Sequence, residues 1–138
     1  MAHRSDSNVP FADWDALVAY VKANWELQTI SADSDTFEIV WEWSDDQRSQ
    51  HVTFAKVVHD GDVWVAWASA IADSMTDAQI IEATAGEVGR IVREDGACWL
   101  EQHIPLALLS PRLLDRYSDS FAERADHLEL QITGADRE

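Results

Sequence analysis

The sequence predicts an α+β fold: an antiparallel β-sheet flanked by helices, in the order α-β-β-β-β-α-β-β-α. Three patterns point to it. Apolar residues recur at three- and four-residue steps near both ends of the chain and once in the middle. Between those stretches they alternate at two-residue steps. Short Asp/Gly and Asp/Ser clusters punctuate the alternating runs, as tight turns between neighbouring strands require.

The first helix is carried by Trp14, Leu17, Val18, Val21 and Trp25, with Asp13 placed to cap it and an end near Asn24. A short strand over 27–31 and an Asp/Ser turn over 32–35 follow. Phe37, Ile39, Trp41 and Trp43 then alternate with Glu38, Val40 and Glu42, the pattern of a half-buried strand. Asp45–Asp46 forms a turn before a third strand over 50–59. Asp60–Gly61 marks a hairpin, because glycine accepts the positive φ that tight turns demand. The fourth strand, 63–69, is apolar on both faces and therefore suits the centre of the sheet.

Helix returns at Thr76, which stands three residues before Gln79 at capping-box spacing. Ile80, Ile81 and Thr84 supply its inner face, and Gly86 is its stop. Two more strands, 88–93 and 98–104, flank a turn at Asp95–Gly96. Ser110–Pro111 then opens the last helix as an N-cap followed by proline in the first turn. Its apolar stripe is Leu114, Tyr117, Phe121, Ala125, Leu128 and Ile132, and Gly134 stops it.

The chain has 138 residues, about one domain's worth, with 46% hydrophobic residues and seven Trp to fill a core. No repeat or linker divides it. Residues 1–10 are expected to be a flexible tail and 11–135 a single domain. Cys98 is the only cysteine, which excludes an intramolecular disulfide and suits a reducing compartment. The first ten residues hold no apolar leader core. The longest apolar-leaning run, 63–72, falls far short of the ~20 residues that span a bilayer. A cytoplasmic location is the expectation.

Twenty-six carboxylates against ten Lys and Arg give a net charge of −16. That field repels phosphate backbones and anionic lipid, so neither nucleic acid nor a membrane surface is an expected partner. It serves solubility, and it attracts a basic partner segment.

The candidate catalytic and metal motifs are each incomplete. Gly86-x-x-Gly89 is neither a P-loop nor a dinucleotide fingerprint. Asp33-x-Asp35 begins like a calcium loop, but Phe37, Glu38 and Ser44 stand where a ligand, a glycine and a carboxylate are needed. His51 and His59 share strand parity, as do Glu101 and His103, with Cys98 nearby, yet no closely spaced ligand pair occurs. No G-x-S-x-G elbow is present, and the acidic pairs Asp45–Asp46 and Glu94–Asp95 fall in turns. The sequence therefore predicts no catalytic residue, no metal ligand and no cofactor. A ligand- or metal-sensing regulatory domain built on Glu101, His103 and the other strand histidines is the alternative reading.

Tryptophans remain. Trp41 and Trp43 share one strand face, whereas Trp64 and Trp67 lie on opposite faces of the next apolar strand. Aromatics of a small domain are mostly core. A sheet covered by helices on one side has another side, however, and rings reaching it would form an apolar interaction patch. Trp41, Trp43, Trp64 and Trp67 are the candidate partner-binding residues.

The element order, the 14–25 helix, the strand ending Trp67-Ala68-Ser69, the passage from Leu100 to Ser110–Pro111 and the FAERADHLE stretch from Phe121 resemble the type III secretion chaperone-like fold. The YbjN-like branch, labelled as bacterial sensory transduction regulators, is the nearer likeness, and it covers nearly the whole chain. The resemblance implies a small acidic homodimer that holds an extended partner segment against apolar surface; with the charge of this chain, the expected partner is a basic or amphipathic protein. It brings no catalytic motif.

Overall fold

A computed structural model describes residues 7–43, 48–84, 89–94 and 96–133. Its elements are α1 (Trp14–Asn24), β1 (Leu27–Ile30), β2 (Thr36–Trp43), β3 (Arg48–His59), β4 (Asp62–Ala72), α2 (Asp77–Thr84), β5 (Arg90–Glu94), β6 (Ala97–Pro105), a 3₁₀ turn (Leu106–Leu108) and α3 (Pro111–Thr133). The six strands form one antiparallel sheet in the order β1-β2-β3-β4-β6-β5. The apolar fourth strand is central, as expected.

Local chemistry fixes the helix starts. Asp13 accepts the Ala16 N–H at 2.8 Å and caps α1. Thr76 and Gln79 exchange hydrogen bonds reciprocally, a complete capping box ahead of α2. Ser110 accepts the Leu113 N–H at the start of α3. At the β3–β4 hairpin Asp60 and Gly61 have φ of 51° and 83°, so both central turn residues lie in the left-handed region.

The core lies between the sheet and the helices. In register across β2, β3, β4 and β6 run Phe37, Phe54, Trp67 and Gln102. Phe37 and Phe54 stack at 4.7 Å, and Trp25, the C-cap of α1, meets Phe54 and Trp41 edge-on at 5.7 and 5.8 Å. Offset and edge-to-face contacts of this kind add to the area that the rings bury. α3 lies across β3 and β4, donating Leu114, Phe121, Ala125 and Leu128 to the core. α1 docks by Trp14 against Phe37. α2 is tied in by Asp77, which accepts from Arg93 at 2.9 Å, and by Ile80, which packs on the core. Phe37, Trp41, Phe54, Trp67 and Arg93, all of which meet a helix, share one strand parity. All three helices therefore cover the same face.

Several expectations are corrected. β4 runs to Ala72 rather than Ser69, because a bulge after Ala70 lets Ala72 pair with Cys98. β5 begins at Arg90, two residues later than expected, behind Gly89, which holds φ 72°. The 3₁₀ turn was not anticipated; Pro105, lacking an N–H, ends β6 and diverts the chain. On α3, Tyr117 faces outward and Ser118 is fully buried instead, because Ser118 accepts the Trp67 indole N–H at 2.9 Å. Within the segment expected to be a loose tail, the Ser7 carbonyl accepts the Arg112 N–H. The proposed turn at Asp45–Asp46 and the stops at Gly86 and Gly134 lie outside the described residues.

Candidate protein-binding surface

Because strand side chains alternate, a sheet with helices on one face must present its other parity somewhere else. Among the described residues no helix packs on that second face. Its centre is β4, which presents Trp64, Ala66, Ala68 and Ala70, all half-buried. The register places Ala66 between Ala55 and His103, and Ala68 between Thr53 and Glu101. Ala70 stands beside Trp99, whose other neighbour is Val92, and Trp64 stands between Val57 and Pro105. The outcome is a shallow strip of alanines with an indole at each end, Trp64 on β4 and Trp99 on β6.

Titratable groups on this face flank the strip rather than enter it. Glu101 and His103 stand on β6 beside Ala68 and Ala66, with His103 Nε2 3.6 Å from Glu101; on β2 and β3, His51 Nδ1 lies 3.4 Å from Glu38; and Arg90 stands opposite Glu101 across β5 and β6. For a chain of net charge −16, a central strip carrying no carboxylate is a marked local departure. Burial, not electrostatics, is what this surface offers a partner.

The structure divides the four candidate tryptophans. Trp41 and Trp67 are core residues, 6% and 0% exposed. Trp41 donates its indole N–H to Asp119 at 3.0 Å, and Trp67 donates its own to Ser118. Neither offers surface, because the face they share is the one that the helices cover. Trp43 is partly buried against the same core at the end of β2. Trp64 alone of the four lies on the open face. Trp99, which was not among the candidate residues, joins it there. Alternation with the buried Leu100 would have assigned its face, but only the strand order β4-β6 sets it beside Ala70.

At one end of the sheet Trp64 also borders a trough of about 610 Å³. Its walls are the start of α1, the β3–β4 hairpin and the 3₁₀ turn after β6. Phe11 donates its N–H to the Leu109 carbonyl, Trp14 its indole N–H to Ser34, and Lys56 its N–H to Asp35, at 2.9, 2.6 and 2.8 Å. These bonds fix the walls to one another.

No family model matches this chain, nor does any curated protein or solved structure.

The remaining candidates supply no reactive centre. Among the described residues no group of three His, Cys, Asp or Glu side chains converges. Cys98 is buried on the helix-covered face, whereas Glu101 and His103 have the opposite parity, so the strand fold separates them. Asp33 sits in an exposed turn and accepts from the Ser31 hydroxyl and the Asp35 N–H, which holds its carboxyl below the ordinary range. Those bonds organise the β1–β2 turn. No helix among the described residues is long and apolar enough to cross a membrane.

Proposed function

We propose that this chain is a non-enzymatic, chaperone-like protein-binding module. It acts in the cytoplasm as a homodimer and holds a partner segment against an apolar, Trp-bearing surface. The observation that carries this reading is the one-sided placement of the helices, which leaves the Trp64–Ala66–Ala68–Ala70 strip and Trp99 on the uncovered face. The element order and the acidity support the likeness to the YbjN-like branch of the secretion-chaperone fold.

A second copy fits the strip. Trp64 and Trp99 stand at opposite ends of the alanines, so a two-fold axis crossing the strip at its centre, in the plane of the interface, sets each Trp64 against the partner's Trp99. Six strands at ~4.8 Å spacing, with about six paired residues per ladder on average at ~3.3 Å each, give a face of roughly 500 Å² in projection. Side-chain relief brings this toward the about 800 Å² per partner of a standard interface. Interfaces of this kind are self-complementary.

Light scattering of wild type and Ala66→Glu tests the reading. Ala66 faces outward between Ala55 and His103, so glutamate there leaves the core untouched. Wild type is expected to run as a dimer and the variant as a folded monomer, with thermal melting confirming the fold. A monomeric wild type, or a variant that remains dimeric, would remove this face from the dimer.

A further inference from the structure

The trough beside Trp64 is a separate surface with its own chemistry. Its floor is apolar, formed chiefly by Phe11, Val63, Trp64, Pro105 and Leu106. Leu108 stands over it 63% exposed, a large side chain left in solvent at the lip. The charged groups are Asp13, Asp15 and Asp62 against the single ammonium of Lys56. Asp13 is committed to capping α1, and its charge partly offsets the positive end of that helix. Asp15, in the first turn of α1, and Asp62 are exposed and cap no helix with their side chains. At about 610 Å³ the trough has the size of ordinary binding clefts, and hydrogen bonds from Phe11, Trp14 and Lys56 hold its walls in place.

We infer that this trough docks a short segment of a partner protein in which a bulky apolar side chain stands next to an Arg or Lys. The apolar group occupies the floor between Phe11 and Leu106, and the cation faces Asp15 and Asp62. A guanidinium so placed also meets the half-buried Trp64 ring, to which cations are attracted. Charge complementarity selects this occupant: an anionic ligand meets three carboxylates to one ammonium, within a chain of net charge −16. The inference rests on the protein-binding reading but not on the dimer, since the two surfaces meet only at the end of the strip, around Trp64 and Pro105.

Two-dimensional ¹H–¹⁵N NMR of the full chain tests it, with the peptide acetyl-Phe-Arg-Leu-Arg-amide titrated against acetyl-Phe-Glu-Leu-Glu-amide. The basic peptide is expected to shift amides at 11–15, 56, 62–64 and 106–108, and the acidic peptide to leave them in place. Asp15→Asn combined with Asp62→Asn should weaken binding roughly fivefold or more at low salt, the effect of losing two exposed charge contacts. Leu108→Ser should weaken it through the lip instead; all three positions are exposed, so these variants keep the fold. Equal binding of both peptides, shifts confined to β4 and Trp99, or an unaffected double Asn variant would overturn the site. Repeating the titration on Ala66→Glu separates the two proposals. Retained trough shifts leave this inference standing whatever becomes of the dimer, and their loss would show that the trough is not an independent site.

Discussion

What distinguishes one tryptophan from another in this molecule is the partner of its indole N–H and the depth at which the two meet. Trp14 uses the Ser34 carbonyl, Trp99 the Glu94 carbonyl, and Trp41 the half-exposed Asp119. Trp67 and Ser118 meet where both are 0% exposed. Water cannot replace a partner removed there, so Ser118→Ala is expected to lower unfolding stability by about 1–3 kcal/mol. Urea denaturation with an unchanged m-value would register it as a pure stability loss. At this scale strand parity was legible and depth was not. Alternation placed Trp41 with Trp43 and opposed Trp64 to Trp67, as observed. Which parity the helices cover depends on tertiary docking, and so does the exchange of Tyr117 for Ser118 on the buried side of α3: helical spacing favours the larger apolar residue, but the indole of Trp67 needs an acceptor.

The elements were legible wherever a residue type has a single geometric use. Asp13, the Thr76/Gln79 pair, Asp60–Gly61 and Ser110–Pro111 each marked a boundary that the structure keeps. The misplaced boundaries had no local signal. The bulge that extends β4 depends on pairing with β6, and the start of β5 depends on the space around Gly89. A methyl group on Gly89 would stand 2.5 Å from the Glu101 carbonyl oxygen, whereas one on Gly61 meets nothing within 4 Å. Both glycines hold positive φ, 72° and 83°. Gly61→Ala should therefore carry only the left-handed conformational cost, about 1–2 kcal/mol. Gly89→Ala should exceed it, to more than about 2 kcal/mol, because the β5–β6 edge must also part. Paired thermal melts of the two variants check the order; equal losses would mean that the sheet edge yields without resistance.

For the whole molecule the deciding features are one sheet face that no described helix covers and a large negative charge, and these pull in opposite directions with salt. Two copies at −16 each repel, and the strip that would join them contributes burial without charge. Screening shortens that repulsion, with a Debye length of about 10 Å at 0.1 M, so a dimer formed through this face should tighten as salt rises. The trough behaves in the reverse sense, since Asp15 and Asp62 are exposed and their attraction for a cationic segment is screened by the same ions. Sedimentation velocity and peptide titration over one salt series therefore read the two surfaces independently. Dimerisation that strengthens while peptide binding weakens is the expected pair of slopes. A dimer that dissociates with salt would mean that charged side chains flanking the strip, such as Arg90 and Glu101, hold the interface through contacts with the partner in place of the alanine strip. Peptide affinity that ignores salt would leave only the apolar floor between Phe11 and Leu106 as its source, and any apolar segment would then be accepted there.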